Sequence, residues 1–408
     1  MRTSSIRSGR GRAVASAALG MLLVGIASVP AHAETIRSRQ WHLDIMSAEK
    51  IWNITTGKGV TVAVIDRGVD KNNPDLLGQV LGGKDFAPNE PGNQFTDSTG
   101  HGTGMAGIIA GTGQSGGGDG AFGLAPGVKI MPLRVPRPDT NKSMKEADEQ
   151  LNRAASEAIR YAVDSGAKVV NISQGAESGS QQLTDAVKYA LDKGALVFAS
   201  VGNSGDKGNT VEYPGATPGV VGVGAIDKSL DRTKESQYGS QVDIVAPGDK
   251  IIHACRNDTN LCDSHGTSAA TALASASAAL IWSKHPDWTN HQVLKVMLNT
   301  INPPGGGEKR NDYIGYGAIR PLRALKTPGD PGPADVRPIP DLAVAETTSP
   351  SAAPSKAGEQ SGAPAPAPAP VAAEDSGSNT GLWIGLGVGA AVLIGAAVAV
   401  PVMRSRRS

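Results

Sequence analysis

The sequence predicts an α/β fold built on a central, mostly parallel β-sheet, and three observations carry that reading. Apolar, β-branched runs recur along the chain: Gly59-Val60-Thr61-Val62-Ala63-Val64-Ile65, Lys168-Val169-Val170-Asn171-Ile172 and Leu196-Val197-Phe198-Ala199-Ser200. Near-continuous runs of this kind are how strands buried on both faces of a parallel sheet read. Among them stand small-residue stretches of helical length, Gly102 to Ala110 and Ala269 to Ile281. Finally, 52 glycines and only 4% aromatic residues suit a compact domain with many tight turns. A length of 408 residues fits one large domain plus accessory segments, and a net charge of +1 gives no reason to expect a nucleic-acid partner.

The first run ends in Asp66, which places a carboxylate at the C-terminal edge of a strand, where open α/β sheets gather their sites. Next comes His101, behind Thr99-Gly100 and leading into Gly102-Thr103-Gly104-Met105-Ala106, a tightly packed helix entered through a glycine turn. Last comes Ser268, behind Gly266-Thr267 and ahead of an alanine-rich helix. A serine hydroxyl is a weak nucleophile near neutral pH; it needs a base within hydrogen-bond reach and a third group that fixes the base's tautomer. Ser268, His101 and Asp66 supply those three types. A nucleophile at a helix N-terminus also gains the favourable end of the helix dipole for charge that develops during reaction. Each motif by itself has an ordinary reading, as a strand end, a turn and an N-cap.

In the order Asp, His, Ser, these motifs resemble the subtilisin-like serine proteases, over about residues 41 to 325. The resemblance implies a three-layer fold and peptide-bond hydrolysis without cofactor or metal. It assigns Asp66, His101 and Ser268 to catalysis, and Asn203, which follows the 196–200 run, to holding the oxyanion together with the Ser268 backbone N–H. It also implies that Ser173 and Gly175 bind the extended backbone of a polypeptide substrate. Three positions depart from the family pattern: Arg67 where Thr or Ser is usual, Gly104 where a second histidine often stands, and Ala272 where proline is common. Arg67 puts a cation beside the carboxylate, either to reshape substrate choice or simply to face solvent. Of the other histidines, His265 reads as a loop residue near the cleft, and His285 and His291 as surface polar groups.

The ends of the chain carry targeting signals. Arg2, Arg7, Arg10 and Arg12 precede an apolar run closed by Ala31-His32-Ala33, the pattern of a secretory signal over 1–33. Residues 34–57 leave no room for a folded pro-domain and read as a strand and a helix packed on the side of the catalytic domain, 58–326. From 327 to 380 the chain is rich in Pro, Ala and Ser, as in Ala363-Pro364-Ala365-Pro366, and reads as an extended stalk. Residues 381–403 are uncharged and long enough to cross a bilayer, and 404–408 hold Arg404, Arg406 and Arg407. The positive-inside rule then leaves the C-terminus in the cytosol and the catalytic domain outside. Cys255 and Cys262 read as one disulfide in an exported protein, with free thiols as the alternative.

This layout is similar to that of the mycosins, membrane-anchored subtilases of actinobacteria associated with type VII secretion. That resemblance implies processing of exported polypeptides and contact with a secretion complex in the membrane. Two alternatives stay open: a scaffold subunit whose catalysis is dispensable, and a surface protease of broad specificity.

Overall fold

The computed structural model describes Met1 and residues 34–137, 142–255 and 261–342. The expected signal, the membrane span, the basic tail and the stalk from 343 onward lie outside the described residues. Among the described residues no helix is long and apolar enough to cross a membrane.

Seven strands form one sheet: β1 (Thr61–Asp66), β2 (Lys84–Asp85), β3 (Lys129–Arg134), β4 (Val169–Ile172), β5 (Leu196–Ser200), β6 (Val221–Ile226) and β7 (Ile244–Pro247). Their order is β2-β3-β1-β4-β5-β6-β7, and every pairing is parallel. Two further strands, β8 (Ile251–Ala254) and β9 (Leu261–Ser264), make a separate antiparallel hairpin.

Side chains that alternate across the pleat feed two cores, one on each face. Val62 and Val64 join Val169, Leu196 and Phe198 beneath helices α1 (His101–Ala110) and α4 (Thr267–Lys284). On the other face, Ala63, Ile65, Val170, Val197 and Ala199 pack against helices α2 (Met144–Asp164) and α3 (Gln181–Asp192). The result is three layers, helix, sheet and helix. α4 is buried along nearly its whole length, and its alanines let the sheet approach closely. Two of its hydroxyls are satisfied within the helix: Thr271 donates to the Thr267 carbonyl and Ser277 to the Leu273 carbonyl, both at 2.8 Å.

The N-terminal extension differs from the expected strand and helix. It forms three short helical turns, Ile36–Arg39, Trp41–Ile45 and Ala48–Trp52. Leu43, Ala48 and Ile51 recur at a spacing that buries one side, and Thr35 caps the first turn by accepting the Ser38 N–H at 3.1 Å. Gln40 does the joining that a strand's backbone would have done. Its side chain donates to the Phe122 and Ile252 carbonyls and accepts the Phe122 N–H. At the other end, the packed unit continues beyond residue 326. Ile339 is buried, Arg337 and Asp341 form an ion pair at 2.8 Å, and Asp341 accepts the Gly219 N–H at 2.6 Å.

One buried acid makes the fold's stability depend on pH. Asp243, immediately before β7, is 8% exposed and accepts the Gly222 N–H at 2.9 Å. Burial pushes its carboxyl up from 3.8 to about 7, against the pull of that hydrogen bond. The folded chain therefore keeps a proton that the unfolded chain has released. Stability from this group is full below its ordinary value and is lost as pH rises toward the folded one. Asp243→Asn should show little change in Tm near pH 4 and a gain that grows toward pH 8. Thermal unfolding at the two pH values checks this, and an equal shift at both would rule it out.

Candidate active site

Asp66 closes β1 at the sheet's C-terminal edge, and its side chain is fully buried. Such a carboxylate must be surrounded by donors. Its Oδ1 accepts the Arg67 N–H at 2.8 Å and the Gln174 Nε2–H at 3.0 Å, while both oxygens lie 2.9 Å from His101 Nδ1. A carboxylate can only accept, so Nδ1 of His101 carries the proton and Nε2 is left with a free lone pair. The ring is 35% exposed, enough to meet a reactant. Burial alone pulls the imidazole's pKa down. The charge and hydrogen bond of Asp66, aided by Asp97 and opposed by Arg67, outweigh burial and hold it above the ordinary 6.5.

His101 opens α1, and the turn before it explains the run of small residues. Gly100 has φ 79°, a left-handed conformation that favours glycine. Asp97 gathers the Gly100 N–H at 2.9 Å and the Thr103 N–H at 2.8 Å, which satisfies donors at the helix start. A Cβ on Gly102 would sit 2.1 Å from the Gly68 carbonyl oxygen and 3.0 Å from Asp66 Cβ. Glycine there is what allows the helix end to rest on the strand end.

Ser268 lies in the first turn of α4, which packs against α1. Asn203, exposed beyond β5, faces the same turn. Its Oδ1 accepts the Thr267 N–H at 2.9 Å and the Thr267 hydroxyl at 3.1 Å. With the carbonyl end occupied, the amide N–H groups are the end left to offer. Ser173 donates to the Ser268 carbonyl at 3.3 Å, and Gly175 is exposed two residues beyond it. The structure thus joins His101 to Asp66, Asn203 to the residue before Ser268, and Ser173 to Ser268 itself. Among the described residues, no hydrogen bond links the Ser268 hydroxyl to His101. Catalytic hydrogen bonds are often long before substrate binds and tighten in the complex.

Several positioning residues escaped the motif reading. Arg67 is held, not turned to solvent: its Nε donates to Gln174 Oε1 at 2.8 Å, Nη2 donates to the same oxygen, and Gln174 donates in turn to Asp66. Burial lowers the pKa of this guanidinium. Nothing local in the sequence links positions 67 and 174. They meet because β1 and β4 are neighbours in the sheet. Behind Ser173, Asn171 donates to its hydroxyl at 3.1 Å and accepts from Ser275 at 3.1 Å, a buried polar chain from β4 to α4.

The Gly104 departure also has a local cause. A Cβ there would lie 2.6 Å from His253 Cε1, so the histidine of β8 fills the space. His253 is buried, with Nε2 2.9 Å from the Ser264 hydroxyl, and burial lowers its pKa to about 4. Cys255 and Cys262 form a disulfide at the hairpin that precedes α4, with Cα atoms 5.7 Å apart. His265 is exposed, 3.6 Å from Glu235, and His285 is half-buried, stacked on Trp288.

A parallel α/β sheet that presents a buried carboxylate–imidazole pair at one helix start and a serine at the next has the layout of a serine hydrolase. The description of the Subtilase family matches residues 57–317, and the chain belongs to that family. Subtilisin NAT of Bacillus subtilis subsp. natto is 37% identical over 266 residues, and the match spans 65% of each chain. The chain therefore aligns with somewhat under two thirds of that relative's length. Among solved structures, MycP1 from the ESX-1 type VII secretion system superposes with a TM-score of 0.64 at 27% identity, covering 76% of this chain and 91% of that one. MycP3 from the ESX-3 system gives 0.60 at 30% identity, covering 70% and 88%.

The field around His101 has a direct check. Arg67 presses the imidazole's pKa down, so Arg67→Gln, which keeps a partner for Gln174, should make His101 titrate higher than in the wild type. A histidine NMR titration reads this out, and coincident curves would show that the cation is not coupled to the pair.

Proposed function

We propose that the chain is a membrane-anchored serine endopeptidase acting outside the cytosol. In this reading Ser268 Oγ attacks the scissile carbonyl and His101 Nε2 takes its proton. Asp66 holds the imidazolium so formed, and His101 then passes the proton to the leaving amine. The oxyanion is held by the Asn203 side-chain amide and the Ser268 backbone N–H at the start of α4. Water, activated by His101, then cleaves the acyl-enzyme. Ser173 and Gly175 border the edge along which an extended polypeptide would lie.

The single observation that carries this reading is the pairing of His101 Nδ1 with both oxygens of the buried Asp66 at 2.9 Å. It fixes the tautomer that a base needs, at the place the family's chemistry requires it. The secretion context rests on the similarity to MycP1 and MycP3 and on the signal, stalk and apolar span read from the sequence. Those features support processing of exported proteins beside a type VII secretion complex.

A fluorophosphonate probe should label the wild type and leave Ser268→Ala unlabelled; labelling of both would remove Ser268 from the reaction. Asn203→Ala should lower kcat by about 100- to 1000-fold with KM little changed, the scale known for such a donor in subtilisin. The rate should also fall as acid protonates His101, with a midpoint above the ordinary 6.5 because the folded imidazole holds its proton more tightly.

A further inference from the structure

A histidine that the site does not use is sealed beneath the N-terminal extension. His42, in the turn Trp41–Ile45, is fully buried, and among the described residues neither of its ring nitrogens has a hydrogen-bond partner. Such an imidazole is held neutral, because a proton on it would be a buried charge left without an acceptor. Burial above all, and then His253 of β8 and Arg37 of the first turn, lower its pKa from 6.5 to about 3. The acids of the neighbourhood are engaged elsewhere. Asp44 and Glu49 are more than half exposed and pair with Arg37, and Asp119 accepts the Ile36 N–H at 2.8 Å. Arg39 and Lys50, the other cations of these turns, are exposed. His253 is in a similar state. Burial, aided by His101 of α1, outweighs the pull of the Ala254 carbonyl and of Asp263 in β9, and lowers its pKa to about 4. The seam between extension and hairpin thus holds one neutral imidazole from each side.

The same seam connects to the nucleophile. Trp41 Nε1 donates to the Asp249 carbonyl at 2.9 Å, and Gln40 Nε2 donates to the Ile252 carbonyl at 3.0 Å, so the extension grips the start of β8. Directly before that grip, the Gly248 carbonyl accepts the Gly266 N–H at 2.6 Å, two residues ahead of Ser268. The extension has little order of its own to fall back on. Its helical turns are four or five residues long, too short to persist without the packing of Leu43, Ala48 and Ile51.

We propose that the extension is an acid-released latch: protonation of His42 frees residues 36–52 from the hairpin and loosens the chain that positions Ser268. The hold on Ser268 rests on the proteolytic reading of Asp66, His101 and Ser268, and deepens it by naming a regulation of that site. A released extension takes up a proton that the seated one refuses. Seating is therefore fully stable above the ordinary 6.5 and weakens as pH falls below it. With a seated value of about 3, the seating equilibrium shifts about 30-fold between pH 8 and pH 5.

Hydrogen exchange of the full chain in detergent at pH 8 and pH 5, corrected for the intrinsic pH dependence of exchange, reads the latch directly. In the wild type, protection of residues 36–52 should fall about 30-fold at pH 5 while β1 and β4 stay protected, and His42→Leu, which removes the titrating group, should abolish most of that fall. At pH 5 the variant should also take the fluorophosphonate probe several-fold faster than the wild type, a difference that the titration of His101, common to both, does not produce. Unchanged protection in the wild type, the same fall in His42→Leu, or a loss spread evenly over the core strands overturns the latch. Equal probe rates at pH 5 in two proteins that both react at pH 8 overturn its hold on Ser268. Two proteins that refuse the probe even at pH 8 overturn the proteolytic reading, and the exchange data still decide the latch. Should His42→Leu fail to fold, His42→Phe takes its place, since an apolar ring of similar shape fills the same space.

Discussion

Everything at the site depends on keeping one carboxylate charged in a place without water. Asp66 is fully buried at the end of a central strand, where an unpaired charge would be strongly unfavourable. Three donors answer it: the Arg67 backbone, the Gln174 amide and the His101 ring. Because the first two come from the residue after β1 and from the loop after β4, the parallel pairing of those strands is itself a condition for the site. The imidazole's orientation and tautomer then follow from an arrangement set by the sheet.

The glycines and alanines around this centre serve distance more than flexibility. Gly102 lets the start of α1 touch the end of β1, Gly104 yields its volume to His253, and Gly175 and Gly202 yield theirs to the Glu212 carboxylate. α4 is lined with alanine for the same reason: it is buried between the sheet and its neighbouring helices and must lie close to them. A side chain one size larger at any of these places forces either the backbone or the site to move.

The departures from the family pattern compensate one another locally. Arg67 would be an isolated cation beside the site were Gln174 not in reach of it. Gln174, in turn, spans the cation and the Asp66 carboxylate. The missing histidine at 104 is matched by His253 entering from another strand. These are changes of packing partner around an unchanged sheet topology, and so the fold remains that of the subtilase family.

The sequence by itself determined the parallel sheet, the strand end at Asp66 and the helix starts at His101 and Ser268, because each is encoded by a local run: apolar β-branched residues, a glycine turn, an alanine-rich stretch. It misread 34–57 as containing a strand, since a short apolar spacing does not separate strand from helical turn until its packing partner is known. Only the tertiary structure decided that Gln174 bridges Arg67 and Asp66, that Asn171 and Ser275 support Ser173, and that Glu212 faces Gly175 and Gly202. Those pairs are far apart in the chain, and hydrogen bonds between residues far apart leave no period or spacing in the sequence. They exist because neighbouring strands and helices deliver their ends to one edge of the sheet.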